Sequence, residues 1–177
     1  MDSMTVAILV IAVLSLVLSV VSLTWQAATF VLSGSRIQAE LKHGARNAGV
    51  VATGPPGSQQ LQALAAQGLT EEVLGVEVRN VGRLAASIDS VEAALEGGVK
   101  IKMLEFVTGP VLSHRLEPQS SASWSVPAAP VRAAVGVSAE VLKRANPCKV
   151  WMEVTVAGKI VRSKQSMLLG SRPELDR

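Results

Sequence analysis

Between Met4 and Leu32 the chain carries no charged residue. A helix rising about 1.5 Å per residue needs about 20 apolar residues to cross a hydrocarbon core ~30 Å thick, and the run from Thr5 to Trp25 suffices. A core helix of a soluble domain would show polar positions on one face every few turns, whereas Val6 to Leu18 is nearly all Val, Ile, Leu and Ala. The pattern predicts a transmembrane anchor over residues 1–34. Trp25 and Phe30 follow its middle, where aromatic rings with a polar edge sit among headgroups.

After the span the period changes. Arg36 to Lys42 alternates strictly, with Ile37, Ala39 and Leu41 on one face, which predicts a half-buried strand. Residues 44–58 collect Gly, Pro, Ala and Asn without period and read as a mobile loop. Ser58 to Leu69 reads either as a short helix ended by Gly68 or as part of a disordered insertion. Residues 35–70 are thus a first strand followed by a flexible loop or short helix.

From Glu71 to Gly170 short alternating runs recur at roughly ten-residue spacing. They cover Glu71–Asn80, with Leu74, Val76 and Val78 on one face, then Ser87–Leu95, Val99–Val107, Leu112–Leu116 and Ala122–Val126, with Trp124 inward. Val150, Met152, Val154 and Val156 alternate, Ala157-Gly158 suits a tight turn, and Ile160–Met167 returns as a hairpin. Pro127 to Pro147 fits no strand, and Ser138 caps a predicted short helix near 138–145 that stops at Asn146-Pro147. Residues 171–177 read as a frayed tail. The fold class expected is mainly β: one N-terminal transmembrane helix followed by an Ig-like antiparallel β-sandwich of seven or eight strands.

Polar residues inside the span are ordered. Steps of three and four give Thr5, Ile8, Ala12, Ser15, Ser19, Ser22, Gln26, Thr29 and Ser33, all small or polar except Ile8. A 3.5-residue repeat places them on one seam, the geometry of left-handed helix pairing. Two readings stand. Ala12, Ser15, Ser19, Ser22 and Gln26 form an association seam for a homo-oligomer, or the hydroxyls bond back to their own helix carbonyls and are tolerated in lipid.

Charge decides orientation and argues against some partners. Of the 177 residues, 17 are Lys or Arg and 14 are Asp or Glu, a formal net charge of +3 without a basic block, and the chain has no Tyr, two Phe and three Trp. Nucleic acid is therefore a poor candidate partner, for want of both a basic patch and stacking platforms. Membrane lipid is a better one, with Arg36, Lys42 and Arg46 at the interface. Only Asp2 precedes the apolar run as a charge, so a signal peptide with its basic n-region is the poorer reading. The same three cations follow the span, which favours a single-pass cell-membrane protein with the N-terminus outside and the C-terminal domain in the cytoplasm.

Candidate chemistry is sparse. A metal site needs three or four converging ligands, and His43, His114 and Cys148 have no such spacing, so no metal or other cofactor is expected. The lone Cys148 cannot form an intramolecular disulfide, and it reads better as a small core residue than as a nucleophile activated by His114. Of the three Asp, Asp2 and Asp176 lie near the chain ends, and Gly54-Pro-Pro-Gly57 lacks the Lys and Ser/Thr of a phosphate loop. An enzyme is not expected.

Val78-Arg-Asn-Val-Gly82 through Val91, and Leu116 through Pro127 (LEPQSSASWSVP), together with the span running into WQAATFVLSGSRIQAELKHG, resemble small uncharacterised membrane-anchored β-sandwich proteins of high-GC Gram-positive bacteria and their phages. The resemblance implies architecture and carries no site. The function expected is a non-enzymatic protein-binding or scaffold module with a protein partner. The alternative is a phage-encoded membrane protein acting in lysis, like a holin, or in superinfection exclusion.

Overall fold

A computed structural model of the chain describes residues 2–32, 34–102 and 107–171. The uncharged run forms one helix, α1 (Ser3–Leu32). Its segment Met4–Thr29 is long and apolar enough to cross a membrane, and the most apolar stretch of that segment has no buried residue. After residues 34–36 the chain enters β1 (Ile37–Asn47), which turns through Ala48-Gly49 into β2 (Val50–Gly54). The connection α2 (Ser58–Ala66) leads to β3 (Glu71–Asn80), β4 (Ala86–Leu95), β5 (Lys100–Lys102), β6 (His114–Leu116) and β7 (Ser121–Pro127). Next come α3 (Ala128–Val141), β8 (Cys148–Val156), β9 (Lys159–Arg162) and β10 (Met167–Leu169).

The strands make two antiparallel sheets. One has the order β2-β1-β3-β7; in the other, β8 and β4 are central, flanked by β9 and β10 on β8 and by β5 and β6 on β4. Alternation dictates which face is inward. Ala39 and Leu41 of β1, Leu74, Val76 and Val78 of β3, and Trp124 and Val126 of β7 meet Ile88, Val91, Ala93 and Leu95 of β4 and Val150, Met152, Val154 and Val156 of β8 in one core. The short helix α3 closes one end, contributing Ala128, Val131 and Val135.

The sandwich is as expected, but the described residues hold ten strands rather than seven or eight. Most of residues 44–58 is strand rather than loop: β1 continues to Asn47 and pairs with β2 from His43↔Gly54 to Asn47↔Val50, leaving a turn at 48–49 and irregular chain at 55–57. Gly and Ala there hid the strand pattern, and Gly44 serves close approach. A Cβ on Gly44 would lie 1.9 Å from the Ala52 carbonyl oxygen. The helical reading of Ser58–Leu69 holds over Ser58–Ala66, and Leu61 and Leu69 join Ala45 in a small second core beneath the hairpin.

Near residues 138–145 the helix begins ten residues earlier than its expected cap, because Pro130 in a first turn does no harm and Ala128, Ala129, Ala133 and Ala134 favour helix. Ser138 is consequently a buried mid-helix residue. The predicted return strand after Ala157-Gly158 splits into β9 and β10 where Ser163 folds inward, its Oγ accepting from Met152 N at 3.2 Å and donating to Gln165 O at 2.7 Å. The turn itself is as predicted, with φ positive at both Ala157 and Gly158. Residues 103–106 of the expected Val99–Val107 run and residues 172–177 of the expected tail lie outside the described residues.

Candidate functional site

Helical geometry places Ala12, Ser15, Ser19, Ser22 and Gln26 along one side of α1, all exposed. Their hydrogen bonds stay within the helix. Ser15 Oγ donates to Ile11 O at 2.8 Å, Ser19 Oγ to Ser15 O at 2.8 Å, and Gln26 Nε2 lies 3.5 Å from Ser22 Oγ. Thr24, off the seam, bonds in the same way to Val20 O at 2.7 Å. Ser15 and Ser19 thus present small side chains whose donors are taken up within the helix. Trp25 is 72% exposed on the same helix; the Phe30 side chain and Ser33 lie outside the described residues.

The cations expected at the interface part company. Arg36 is exposed beside the helix exit. Lys42 and Arg46 are not there, since a strand advancing about 3.3 Å per residue carries them roughly 17 and 30 Å beyond Ile37. Carboxylates on the neighbouring strand take up both. Lys42 Nζ sits 3.0 Å from Glu77 Oε2 and 3.4 Å from Glu40 Oε2. Arg46 donates through Nε and Nη2 to the two oxygens of Glu71, each at 2.7 Å, and through Nη1 to Thr108 Oγ1 at 3.0 Å. The Arg46 guanidinium holds the Glu71 carboxyl below its ordinary range, as Lys42 does Glu77.

Between these pairs the outer face of the β2-β1-β3-β7 sheet has a groove of about 220 Å³. Its floor is open at Gly75, and its walls include Lys42, Thr53, Thr108, Ser123 and Ser125. The Thr108–Gly109–Pro110 segment closes one side. Thr108 bridges Ser125, Trp124 Nε1 donates to Pro110 O at 2.8 Å, and His114 meets Trp124 edge-on with ring centroids 5.8 Å apart.

Inside the sandwich lies a charged cluster. Glu72 shares the inward parity of Leu74 and Val76, and His43 shares that of Ala39 and Leu41. His43 Nε2 lies 2.8 Å from Glu72 Oε1 and, facing an acceptor-only carboxylate, carries the hydrogen. Arg132 of α3 donates from Nε to Glu72 Oε2 at 2.9 Å, from Nη2 to Glu72 Oε1, and from Nη1 to Gly170 O at 2.8 Å. Burial raises the Glu72 pKa, but the hydrogen bonds from His43 and Arg132, with the Arg132 charge, outweigh it and hold the carboxyl below its usual range. His43 Nδ1 has no hydrogen-bond partner among the described residues.

A second buried carboxylate, Glu153 of β8, is held by Lys100 Nζ at 2.6 Å and Arg162 Nη2 at 2.6 Å, and the Arg162 guanidinium lies 5.1 Å from the Trp151 ring centroid. Neither cluster was anticipated. The signal for Glu72 and His43 was parity: each falls on the apolar side of its strand. Nothing local marks Arg132 as their partner. Cys148 and His114 are not brought together, because the registers Val150↔Leu95 and Ile88↔His114 put them near opposite ends of β4, roughly 30 Å apart along the strands. Burial pushes the Cys148 thiol pKa up. Among the described residues no three His, Cys, Asp or Glu side chains converge as metal ligands.

No family model matches this sequence, and no curated protein matches it. Among solved structures the chain is similar to a chain of the archaeal flagellum of Methanospirillum hungatei strain JF1, at 8% sequence identity and a TM-score of 0.39, with 98% of this chain and 97% of that chain covered.

Proposed function

We propose that the chain is a single-pass membrane protein, N-terminus outside and C-terminal domain in the cytoplasm, whose β-sandwich binds a protein partner and catalyses no reaction. The observation that carries this reading is α1: a charge-free helix, exposed over Met4–Thr29, joined through residues 34–36 to a domain with its own core. Exposed apolar surface of this extent is stable in water only when covered, and lipid covers it at no cost in hydrogen bonds. The buried ionisable groups support a structural role for the interior, since Glu72 and Glu153 are committed to cations rather than poised toward a cleft. Support for protein binding comes from β2, an edge strand with Val50 62% and Val51 40% exposed, to which an extended partner segment could add.

Self-association through the α1 seam belongs to the same reading. With the Ser15 and Ser19 hydroxyls bonded to their own helix, pairing would come from close packing of small side chains. Carbonate extraction combined with a dual topology reporter after Arg177 tests the anchor. The expected result is a membrane-retained chain with a cytoplasmic signal. Photocrosslinking from Val51 in host membranes tests the binding edge, and cross-linking no more specific than that from exposed Lys149 would overturn that part.

A further inference from the structure

The helix exit meets one end of the sandwich. The backbone N–H of Val81 donates to Arg36 O at 2.8 Å and that of Arg83 to Gly34 O at 3.3 Å, tying residues 34–36 to the loop after β3. Gly82 permits this approach, since a Cβ there would lie 2.4 Å from both Arg36 N and Gly34 O. Asn80, fully buried, braces the loop: its Nδ2 donates to Leu84 O at 2.8 Å and Leu116 O at 3.2 Å, and its Oδ1 accepts from Gly82 N at 3.0 Å. Gln119 adds a bond to Val81 O at 3.1 Å. The Ala157-Gly158 turn sits at the same end, Ala157 N bonding Ser87 O.

On this braced end Leu84 is 57% exposed, although its backbone is held. Arg83 precedes it, Arg36 lies on the connector tied to the same loop, and Lys159 follows the Ala157-Gly158 turn at the same end; all three are exposed, and none makes an ion pair among the described residues. At the same end of β4, Glu117 is occupied by Arg115 at 2.8 Å, and Asp89 accepts from Ser87 Oγ at 3.0 Å. An exposed leucine and three exposed cations, on the end of the sandwich that is tied to the connector after a membrane-length helix, have the composition of an interfacial contact.

We propose that this end of the sandwich seats on anionic lipid headgroups through Arg36, Arg83 and Lys159, with Leu84 entering the interface. The inference rests on the anchor reading of α1. A basic residue near an anionic surface shifts the ratio of seated to free domain about fivefold, so neutralising all three lowers it about a hundredfold, and added salt weakens the seat.

The test uses the full chain with Cys148→Ala, labelled by an environment-sensitive fluorophore at Leu84→Cys. It is reconstituted in nanodiscs of phosphatidylcholine alone or mixed with phosphatidylglycerol. The expected result is quenching by headgroup nitroxide lipid and protection from aqueous iodide in the anionic discs only. That protection should be lost in the Arg36→Gln/Arg83→Gln/Lys159→Gln chain, while a label at Ala48→Cys, in the turn at the far end, stays iodide-accessible throughout. A chain that incorporates into discs but leaves Leu84 equally open to iodide in both lipids overturns the seat alone. A chain that fails to incorporate overturns the anchor as well.

Discussion

Arg132, on the helix that closes the sandwich, grips both carboxylate oxygens of Glu72, sixty residues earlier on β3. The relation fixes α3 over the open end of the core, since Val131 and Val135 on the same helix are fully buried. Removing the carboxylate in Glu72→Ala takes away the acceptor that the Arg132 guanidinium and the His43 N–H share. The expected loss is about 3–5 kcal/mol. Replacing the three together, as His43→Leu, Glu72→Leu and Arg132→Met, should cost far less, because no charge is then stranded. Urea unfolding of the full chain in detergent measures both, and equal losses for the single and triple variants would refute the account.

Acid should destabilise the domain. Glu71, Glu72, Glu77 and Glu153 all have folded pKa values lowered from an ordinary 4.5. A carboxyl depressed by folding stabilises the folded state above its unfolded pKa, and the contribution is lost as pH falls through the folded value. The melting temperature is therefore expected to hold from neutral pH to about 5 and to fall below that. Glu72 and Glu153, being buried, should dominate, so Glu153→Gln should flatten the acid limb. An acid limb that is identical in that variant would exclude Glu153 from it.

The strands that alternate cleanly were legible in the sequence. Leu74, Val76 and Val78 of β3, Val150 to Val156 of β8 and the Ala157-Gly158 turn all fall where period and turn chemistry place them. Reading failed where another constraint outranked alternation. Gly44 continues β1 because a neighbouring strand comes too close for a side chain, and that demand is invisible without the neighbour. Arg132 failed for a related reason: its partners come from two strands far earlier in the chain, and no local spacing encodes a contact at such separation. Lys42 and Arg46 are positive charges close to α1 in sequence. Their strand carries them away from it.

The tie at the helix exit should be sensitive to a single methyl group. Gly82→Ala drives a Cβ into the backbone at Gly34 and Arg36. Overpacking of this kind costs about 1–3 kcal/mol, and because the clash is with backbone the connector should detach before the core yields. Limited proteolysis between Gly34 and Arg36 should accelerate while the urea midpoint moves little. Unchanged cleavage would show the connector to be held by other means.

Retention in the membrane should depend on the middle of α1. Val13 and Val17 are exposed. A lysine at a helix centre costs about 2.5–3.5 kcal/mol on insertion scales, so Val13→Lys with Val17→Lys should move the chain from the carbonate-resistant fraction to the supernatant. Retention of the double variant would point to an anchor elsewhere.

The second small core beneath the β1–β2 hairpin holds few buried residues, Ala45, Leu61 and Leu69, while the sandwich core is continuous across both sheets. Amide exchange should therefore divide the chain into two cooperative units. Hydrogens of β2 and α2 would exchange by local opening well below the global unfolding free energy, and those of β3, β4 and β8 only when the whole domain unfolds. The edge offered for strand addition thus lies in the unit that opens most readily, so a partner segment could be accommodated there without breaking the sandwich that holds it.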